Sequence, residues 1–393
     1  MRVCLITGEY PPMQGGVGDY THELAHAMAR QGADVVVLTS RQAGVRRDAE
    51  DVLPGSLTVW PVVDHWDWRC WRAVRHVARE FHPDVLHIQY QSAAYGLHPA
   101  INLLPWYVRL QGASPKVAVT FHDLRVPYVF PKAGPLRWWS VVELARRSDV
   151  TIVTNAEDHR VLSTYPFGER VQVIPIGSNV RVAPPAGYER ATMRERWGYG
   201  TDDIVLCYFG FLNESKGGES LIQALSVLAE GRNNVHLLMI GGKIGSSDPE
   251  NRTYLKRVET LIADLGLCDR VQWTGFTSQA EVSANFMASD ICVLPYRDGV
   301  SFRRGSFMAA LAHGLPIVTT QPGLPIVGLV NGENVMLVAR DDVGVLAEAI
   351  ARLIETPRLR KLLADGARQL SQRFDWEQIA RRTLEAYGAC VHD

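Results

Sequence analysis

The sequence lacks several features that would each place it in a different class of protein. None of its six cysteines belongs to a CxxC pair, so we expect reduced, buried thiols. No apolar stretch approaches the ~20 residues of a membrane-spanning helix, and the apolar run 3–7 is too short for a signal-peptide core. We therefore expect a cytoplasmic protein, whose contact with a membrane would be peripheral, at its inner face.

The chain also lacks an excess of charge of either sign. Its 41 basic and 42 acidic residues give a formal net charge of −1, which argues against a nucleic-acid partner. The GxGxxG dinucleotide fingerprint is absent as well, which disfavours a dehydrogenase.

What the sequence contains is an alternation of short apolar runs and amphipathic segments that occurs twice. A chain of 393 residues is long enough for two domains. The first series predicts strands at 2–7, 34–39, 85–89, 116–120, 150–154 and 171–174, with a helix at 17–31. After a Pro/Gly-rich linker at 175–190, the second predicts strands at 204–209, 235–240, 271–274, 291–294, 316–319 and 335–338, helices at 216–229 and 254–265, and a helical tail at 342–388. Continuous apolar runs separated by helices indicate parallel sheets covered on both faces.

The fold class is therefore α/β, with two Rossmann-like doubly wound domains. We place the first at 1–178, joined by the C-terminal helix 374–393, and the second at 190–373. Ligands of such sheets bind beyond the carboxyl ends of the strands, so we expect one cleft between the two domains.

A glycine cluster, Gly15-Gly16-Val17-Gly18, separates the first strand from the first helix. Glycine lets the backbone approach a ligand closely, and a helix N-terminus presents free N–H groups to an anion. A plain tight turn is the alternative interpretation.

A second candidate loop, residues 210–218, follows the first strand of the second domain. Ser215 is predicted to cap the next helix, with Lys216 in its first turn and Gly217 beside it. A cation there opposes the helix dipole, which makes sense if it neutralises an anion.

A third loop, residues 296–306, combines an acid, two hydroxyl side chains and adjacent arginines. Arg303 and Arg304 suit phosphate because a guanidinium donates two hydrogen bonds, and Asp298 can accept bonds from sugar hydroxyls. A solvated polar helix cap is the alternative. His122, after the strand 116–120, is a further candidate for the cleft.

Several motifs in their order and spacing resemble glycosyltransferase family 4, whose members have the GT-B fold. Residues 173–177 resemble the family's "viPNG", 289–295 its "aDvfvlPS", 310–318 its "EAMACGLPVV" and 331–334 its "nGenG". The resemblance covers nearly the whole chain. It implies a sugar donor activated by a nucleoside diphosphate, an acceptor domain at the N-terminus and a donor domain at the C-terminus.

The resemblance also implies a reaction: transfer to an acceptor hydroxyl with retention of the anomeric configuration. The acceptor would be a glycan, a lipid-linked sugar or a small molecule. No cofactor and no metal are implied, and no Asp-x-Asp occurs here. Cationic side chains would stabilise the departing diphosphate instead.

Residue by residue, the resemblance assigns the donor phosphates to the glycine loop and the diphosphate to Lys216. His122 would contact the donor sugar, and Phe276 falls where the base is held by backbone groups. Residues 299–301 (Gly299, Val300 and Ser301) complete the predicted donor site.

The chain departs from the family at three positions. Phe211 stands where the family has an arginine, and the two E-x7-E glutamates fall on Ser301 and Ala309. We predict that Asp298 replaces the first glutamate and that Arg303 or Arg304 replaces the arginine. Loss of the ribose acid also suits a deoxyribose donor such as a dTDP-sugar.

Two alternative functions stay open at the level of the sequence. Another GT-B enzyme, such as an epimerase or a phosphorylase, is weakened by the missing acids and by the lack of a Schiff-base lysine candidate. A catalytically inactive homologue would bind nucleotide sugars without turnover.

The segments 66–72 and 136–139 both mix tryptophan and arginine. This composition fits sugar stacking, membrane contact or simple helix packing.

Overall fold

The computed structural model describes residues 1–13, 15–44, 47–50, 54–112, 115–124, 126, 134–243 and 249–391. The chain divides into two compact units. The first comprises Met1–Gly177 and Phe374–Asp393, and the second comprises Ser178–Arg373.

The N-terminal unit contains one sheet, nearly all of it parallel. Its strands are β1 Arg2–Ile6, β2 Asp34–Ser40, β3 Arg47–Glu50, β4 Ser56–Val63, β5 Val85–Tyr90, β6 Lys116–Phe121, β7 Val150–Val153 and β8 Val171–Val173. They lie in the order β3-β4-β2-β1-β5-β6-β7-β8, and only β3 is antiparallel to its neighbour.

Helices cover both faces of this sheet, as the continuous apolar strands require. They are α1 Gly16–Arg30, α2 Cys70–Phe81, α3 Leu104–Leu110, α4 Pro135–Arg147, α5 Ala156–Leu162 and, from the end of the chain, α13 Trp376–Val391. Helices α1 and α13 share one buried cluster with Val85 and Ala118 of the sheet. Helices α2, α3 and α4 contribute to the cluster on the other face.

The C-terminal unit contains a six-stranded parallel sheet. Its strands are β9 Ile204–Phe209, β10 Val235–Ile240, β11 Val271–Trp273, β12 Ile291–Leu294, β13 Ile317–Thr320 and β14 Met336–Val338. Its helices are α6 Arg190–Arg196, α7 Gly218–Ala229, α8 Pro249–Asp264, α9 Gln279–Ala288, α10 Gly305–Ala312, α11 Val343–Glu355 and α12 Pro357–Ser371.

The strand order β11-β10-β9-β12-β13-β14 reverses direction between β9 and β12. This is the 3-2-1-4-5-6 order of dinucleotide-binding sheets, in which ligands bind outside the carboxyl ends of the strands where the order reverses. The two-domain α/β fold predicted from the sequence is confirmed. Among the helices that the structure describes, none has the length and apolar character needed to cross a bilayer.

Candidate functional site

The carboxyl ends of β9 and β12 bring two of the predicted loops together. A Cβ placed on Gly210, directly after β9, would lie 3.1 Å from Lys216 Nζ and 3.9 Å from Ser306 Cβ. Gly210 has φ +105°, which a side chain would strain. The loops after β9 and β12 therefore approach each other at the point where the strand order reverses.

Lys216 holds its amine in a setting that opposes its charge. Burial, and after it the positive charge of Arg304, lower the pKa of Lys216 to about 8. No hydrogen bond or ion pair joins its Nζ to any residue that the structure describes. Lys216 and Arg304 therefore repel each other, and the Lys216 amine has no acidic partner among the described residues. Such a site is suited to binding an anion.

Arg304 is the N-cap residue of α10, and no side chain caps that helix. Its guanidinium lies 4.7 Å from the centroid of the Tyr296 ring and forms an ion pair with Asp298. The Tyr296 hydroxyl is hydrogen-bonded to Ser306 Oγ at 2.6 Å, in the first turn of α10. An uncapped helix N-terminus thus lies beside the two cations, an arrangement that favours phosphate.

At two of the predicted site positions, Gly217 and Gly299, the fold itself requires glycine. Gly217 has φ +70°, and a Cβ there would lie 2.0 Å from the carbonyl oxygen of Pro295. Gly299 has φ +91°, and its Cβ would lie 2.5 Å from the carbonyl oxygen of Gln321. These contacts fix the course of both loops, whether or not a donor binds them.

The prediction for the helix after β9 is wrong in detail. Helix α7 begins at Gly218 with Gly217 as its N-cap, and no side chain caps it. Ser215 instead donates a hydrogen bond to Asn213 Oδ1 at 2.9 Å, because residues Glu214–Lys216 form a short 3-10 turn. Lys216 therefore precedes α7 rather than lying in its first turn.

The other predicted donor residues differ in exposure. Val300 is buried, and its N–H donates to Thr320 O at 3.3 Å, whereas the carbonyl of Ser301 accepts from the N–H of Arg304. Arg303 and Phe276 are exposed, Phe276 by 78% of its surface. Their roles in donor binding stay predictions.

In the glycine loop of the N-terminal unit, two of the N–H groups expected to be free for a ligand are already bonded within the chain. The carboxylate of Glu9 accepts hydrogen bonds from the N–H of Val17 at 3.1 Å and of Gly18 at 3.3 Å. A Cβ on Gly15 would lie about 2 Å from this carboxylate, whereas one on Gly16 would meet open space. The start of α1 thus already has an anionic partner within the chain, which the sequence analysis missed.

His122 lies directly after β6 and is half-buried. Its Nε2 is 3.1 Å from Oε1 of Gln89, and its ring packs edge-on against Tyr20 with 4.5 Å between centroids. Its N–H donates to the carbonyl of Tyr90 at 3.0 Å. Both the backbone and the ring of His122 are therefore held in place.

The tryptophan and arginine segments are largely packed within the N-terminal unit. The Trp71 indole donates to Ala100 O at 3.0 Å and stacks on Tyr107, and the Trp138 indole donates to the Tyr165 hydroxyl at 2.8 Å. Trp68 and Trp139 are exposed. Packing accounts for the first two, and membrane contact by the exposed pair stays a prediction that liposome pelleting tests.

Two family models match the chain in succession. The model described as Glycosyltransferase Family 4 matches residues 14–181, and that described as Glycosyl transferases group 1 matches residues 189–370. The chain is a family 4 glycosyltransferase. Its enzymatic class and its GT-B fold follow from this membership.

Named relatives of this glycosyltransferase carry related activities. It is 26% identical to a GDP-mannose-dependent alpha-(1-6)-phosphatidylinositol monomannoside mannosyltransferase of Mycobacterium tuberculosis, over 98% of this chain and 97% of the relative. It is also 26% identical to a D-inositol 3-phosphate glycosyltransferase of Xylanimonas cellulosilytica, over 98% and 96% of the two chains.

Solved structures share the fold over the full length. Sucrose-phosphate synthase from Thermosynechococcus elongatus superimposes with a TM-score of 0.73 at 21% identity, covering 99% of this chain and 98% of that one. Anabaena Alr3699/HepE in complex with UDP also gives a TM-score of 0.73, at 18% identity over 99% and 100% of the chains.

Proposed function

We propose that this glycosyltransferase moves a sugar from a nucleoside-diphosphate donor to an acceptor hydroxyl with retention, without a cofactor or a metal ion. The observation that carries the proposal is the pair of cations, Lys216 and Arg304, beside the uncapped N-terminus of α10. Fixed positive charges at the reversal point of the sheet can hold a diphosphate in the way that a divalent cation otherwise would.

The two cations are suited to the moment at which the glycosidic bond breaks. As the bond from the anomeric carbon to the phosphate oxygen lengthens, negative charge builds up on the diphosphate and positive character on the sugar ring. Lys216, Arg304 and the N–H groups of α10 stabilise the first of these without rearrangement. In a retaining reaction, the acceptor oxygen attacks from the leaving-group side, and its proton passes to the departing phosphate oxygen.

In this proposal, Asp298 positions Arg304 through their ion pair. The ion pair orients the guanidinium over the Tyr296 ring, so Asp298 restrains the arginine that replaces the family's own. This arrangement supports Arg304, rather than the exposed Arg303, as the second cation of the site.

The donor and acceptor classes follow from the relatives by analogy. GDP-mannose and a phosphoinositide or inositol-phosphate acceptor are the first pair to test, since the relatives' names specify them. A second donor hypothesis rests on Ala309, which has no oxygen to bind a ribose hydroxyl and therefore favours dTDP-sugars. Calorimetry decides between them: binding of UDP or GDP as tight as that of dTDP contradicts the deoxyribose hypothesis.

Turnover of a donor panel in the presence of EDTA tests the reaction itself. We expect release of the nucleoside diphosphate to persist in EDTA and the product to keep the donor's anomeric configuration by NMR. Lys216→Met should abolish release, whereas Lys361→Met, which removes an exposed lysine paired with Asp365, should leave it unchanged. Nucleotide binding without turnover of any donor would indicate the inactive homologue instead, and loss of activity in EDTA would contradict metal independence.

A further inference from the structure

Two polar side chains interrupt the apolar face of the N-terminal sheet that α13 covers. His87 and Gln89 follow Val85 at every second position of β5, so all three side chains lie on the face where Val85 clusters with Tyr387. Both His87 and Gln89 are fully buried. Burying an imidazole and an amide in an apolar layer is costly unless every polar atom finds a partner. Their partners connect α13 to His122.

The contacts form a continuous series of hydrogen bonds. The Tyr387 hydroxyl is bonded to His87 Nδ1, and His87 Nε2 is 2.8 Å from Thr120 Oγ1. The Gln89 amide nitrogen lies 3.2 Å from His87 Nδ1 and 3.4 Å from His87 Nε2, and the amide oxygen lies 3.1 Å from His122 Nε2. Every member of the series belongs to the N-terminal unit.

The proton positions in this series follow from the two hydroxyl groups at His87. Burial, and after it the neighbouring His122, lower the pKa of His87 to about 3, so its ring is neutral and carries one proton. A phenol is a stronger donor and a weaker acceptor than an aliphatic hydroxyl. Tyr387 therefore donates to Nδ1, and the ring proton on Nε2 is donated to Thr120.

The state of His87 decides the orientation of the Gln89 amide. The one lone pair of His87 Nδ1 already accepts from Tyr387, and the one N–H of the ring is donated to Thr120, so the ring has no donor left for the carbonyl oxygen of Gln89. The NH₂ group of Gln89, which is itself a donor, therefore lies against the electron-rich ring nitrogens in place of the oxygen. The amide oxygen is thereby turned toward His122, where it can only accept. When the His122 ring is neutral, its one proton must then lie on Nε2.

We propose that Gln89, His87 and Tyr387 are positioning residues that fix His122 in its Nε2–H tautomer. For the part played by His122 in catalysis, the inference rests on the proposed function and on the expectation from the family resemblance that this ring contacts the donor sugar. The series makes the C-terminal helix a determinant of the state of His122, because the hydroxyl that starts it lies on α13.

NMR of the full chain labelled with 15N-histidine tests the tautomer without any substrate. Long-range couplings show which ring nitrogen of each histidine is protonated, and His122→Asn identifies the His122 signals. We expect Nε2–H in the wild type, and a mixture or the Nδ1–H form in Gln89→Leu. Gln89→Glu, which keeps an acceptor oxygen, should retain Nε2–H.

Tyr387→Phe tests the distant end of the series. Loss of this hydroxyl should shift the ring-nitrogen signals of both His87 and His122. The matched control is Tyr165→Phe, which removes the partner of Trp138 on the other face of the sheet and should leave His122 unchanged. Thermal unfolding identifies variants that fail to fold. If the variants of the series do not fold, the inference is tested by the tautomer of His122 in the wild-type protein alone.

Two results would overturn the inference: a wild-type His122 protonated on Nδ1, or a folded Gln89→Leu with an unchanged tautomer. With an active donor in hand, Gln89→Leu should lower kcat on the order of tenfold or more, and Gln89→Glu should recover part of the loss. If no donor is turned over, the proposed function fails while the NMR result still decides the tautomer.

Discussion

The lowered pKa of Lys216 makes nucleotide affinity depend on pH in a range where few other groups titrate. A diphosphate binds the protonated amine, so affinity is nearly full at pH 7 and falls as the pH rises through the pKa of Lys216 in the free enzyme, about 8. With a pKa of about 8, the protonated fraction is roughly 0.9 at pH 7 and roughly 0.1 at pH 9. The dissociation constant should therefore rise about tenfold, or ~1.4 kcal/mol, between these two pH values.

Isothermal titration calorimetry of a nucleoside diphosphate between pH 7 and 9 measures this slope directly. Lys216→Arg should give a flat profile, because a guanidinium stays charged throughout the range. Any titration of the nucleotide base is common to both proteins and cancels in the comparison. Lys361→Met should keep the wild-type slope, because this lysine is exposed and lies on α12.

Two results would refute the reasoning about Lys216. One is a wild-type affinity that is constant from pH 7 to 9, and the other is an identical slope in Lys216→Arg. Either would mean that the amine does not meet the diphosphate, and the site would then have to be sought away from the loop between β9 and α7.

Three further predictions concern the loops and the N-terminal unit. Gly217→Ala should lower the melting temperature and abolish nucleotide binding, because its Cβ would lie 2.0 Å from the Pro295 carbonyl oxygen; unchanged melting by calorimetry would contradict this. Asp298→Asn should loosen the orientation of Arg304 and lower kcat several-fold, and steady-state kinetics with unaltered kcat would argue against the ion pair's role. Burial disfavours the charge of Glu143, but hydrogen bonds from neighbouring cations outweigh it and lower its pKa to about 2. Glu143→Gln should therefore cost about 1–3 kcal/mol at pH 7, and the difference in chemical denaturation should shrink as the pH falls from about 4.5 toward 2.

The fold was largely predictable from the sequence because parallel strands buried on both faces are continuous apolar runs. Strands such as β9 and β10 begin and end at the predicted residues. Strand β4 was not predicted, because Pro61 interrupts its apolar run at a position where the structure pairs it with Thr39 of β2. Short-range patterns alone could not show that this proline is tolerated.

The candidate site was predictable only in part. Each of its loops is a continuous stretch of sequence, whereas the contacts that its side chains make join residues that are distant in the chain. The loop after β9 and the arginine pair were visible as motifs, yet the choice of Arg304 over Arg303 depends on packing against Tyr296. Glu9 lies eight residues before Val17 and gave no signal of its own as a partner for the helix N-terminus. The bond between His87 and Tyr387 spans 300 residues, a separation at which no motif in a single sequence can point to a contact.

The return of α13 to the N-terminal unit has a consequence for synthesis of the chain. The ribosome completes Met1–Gly177 early, but Trp376 and Tyr387, which cover one face of that unit, are made only after the whole second unit has been synthesised. Until these last residues are made, the first unit cannot cover this face, and its apolar side chains and two polar side chains of β5 stay open to water. A premature stop or a destabilising tag near the C-terminus should therefore damage the half of the protein that is translated first.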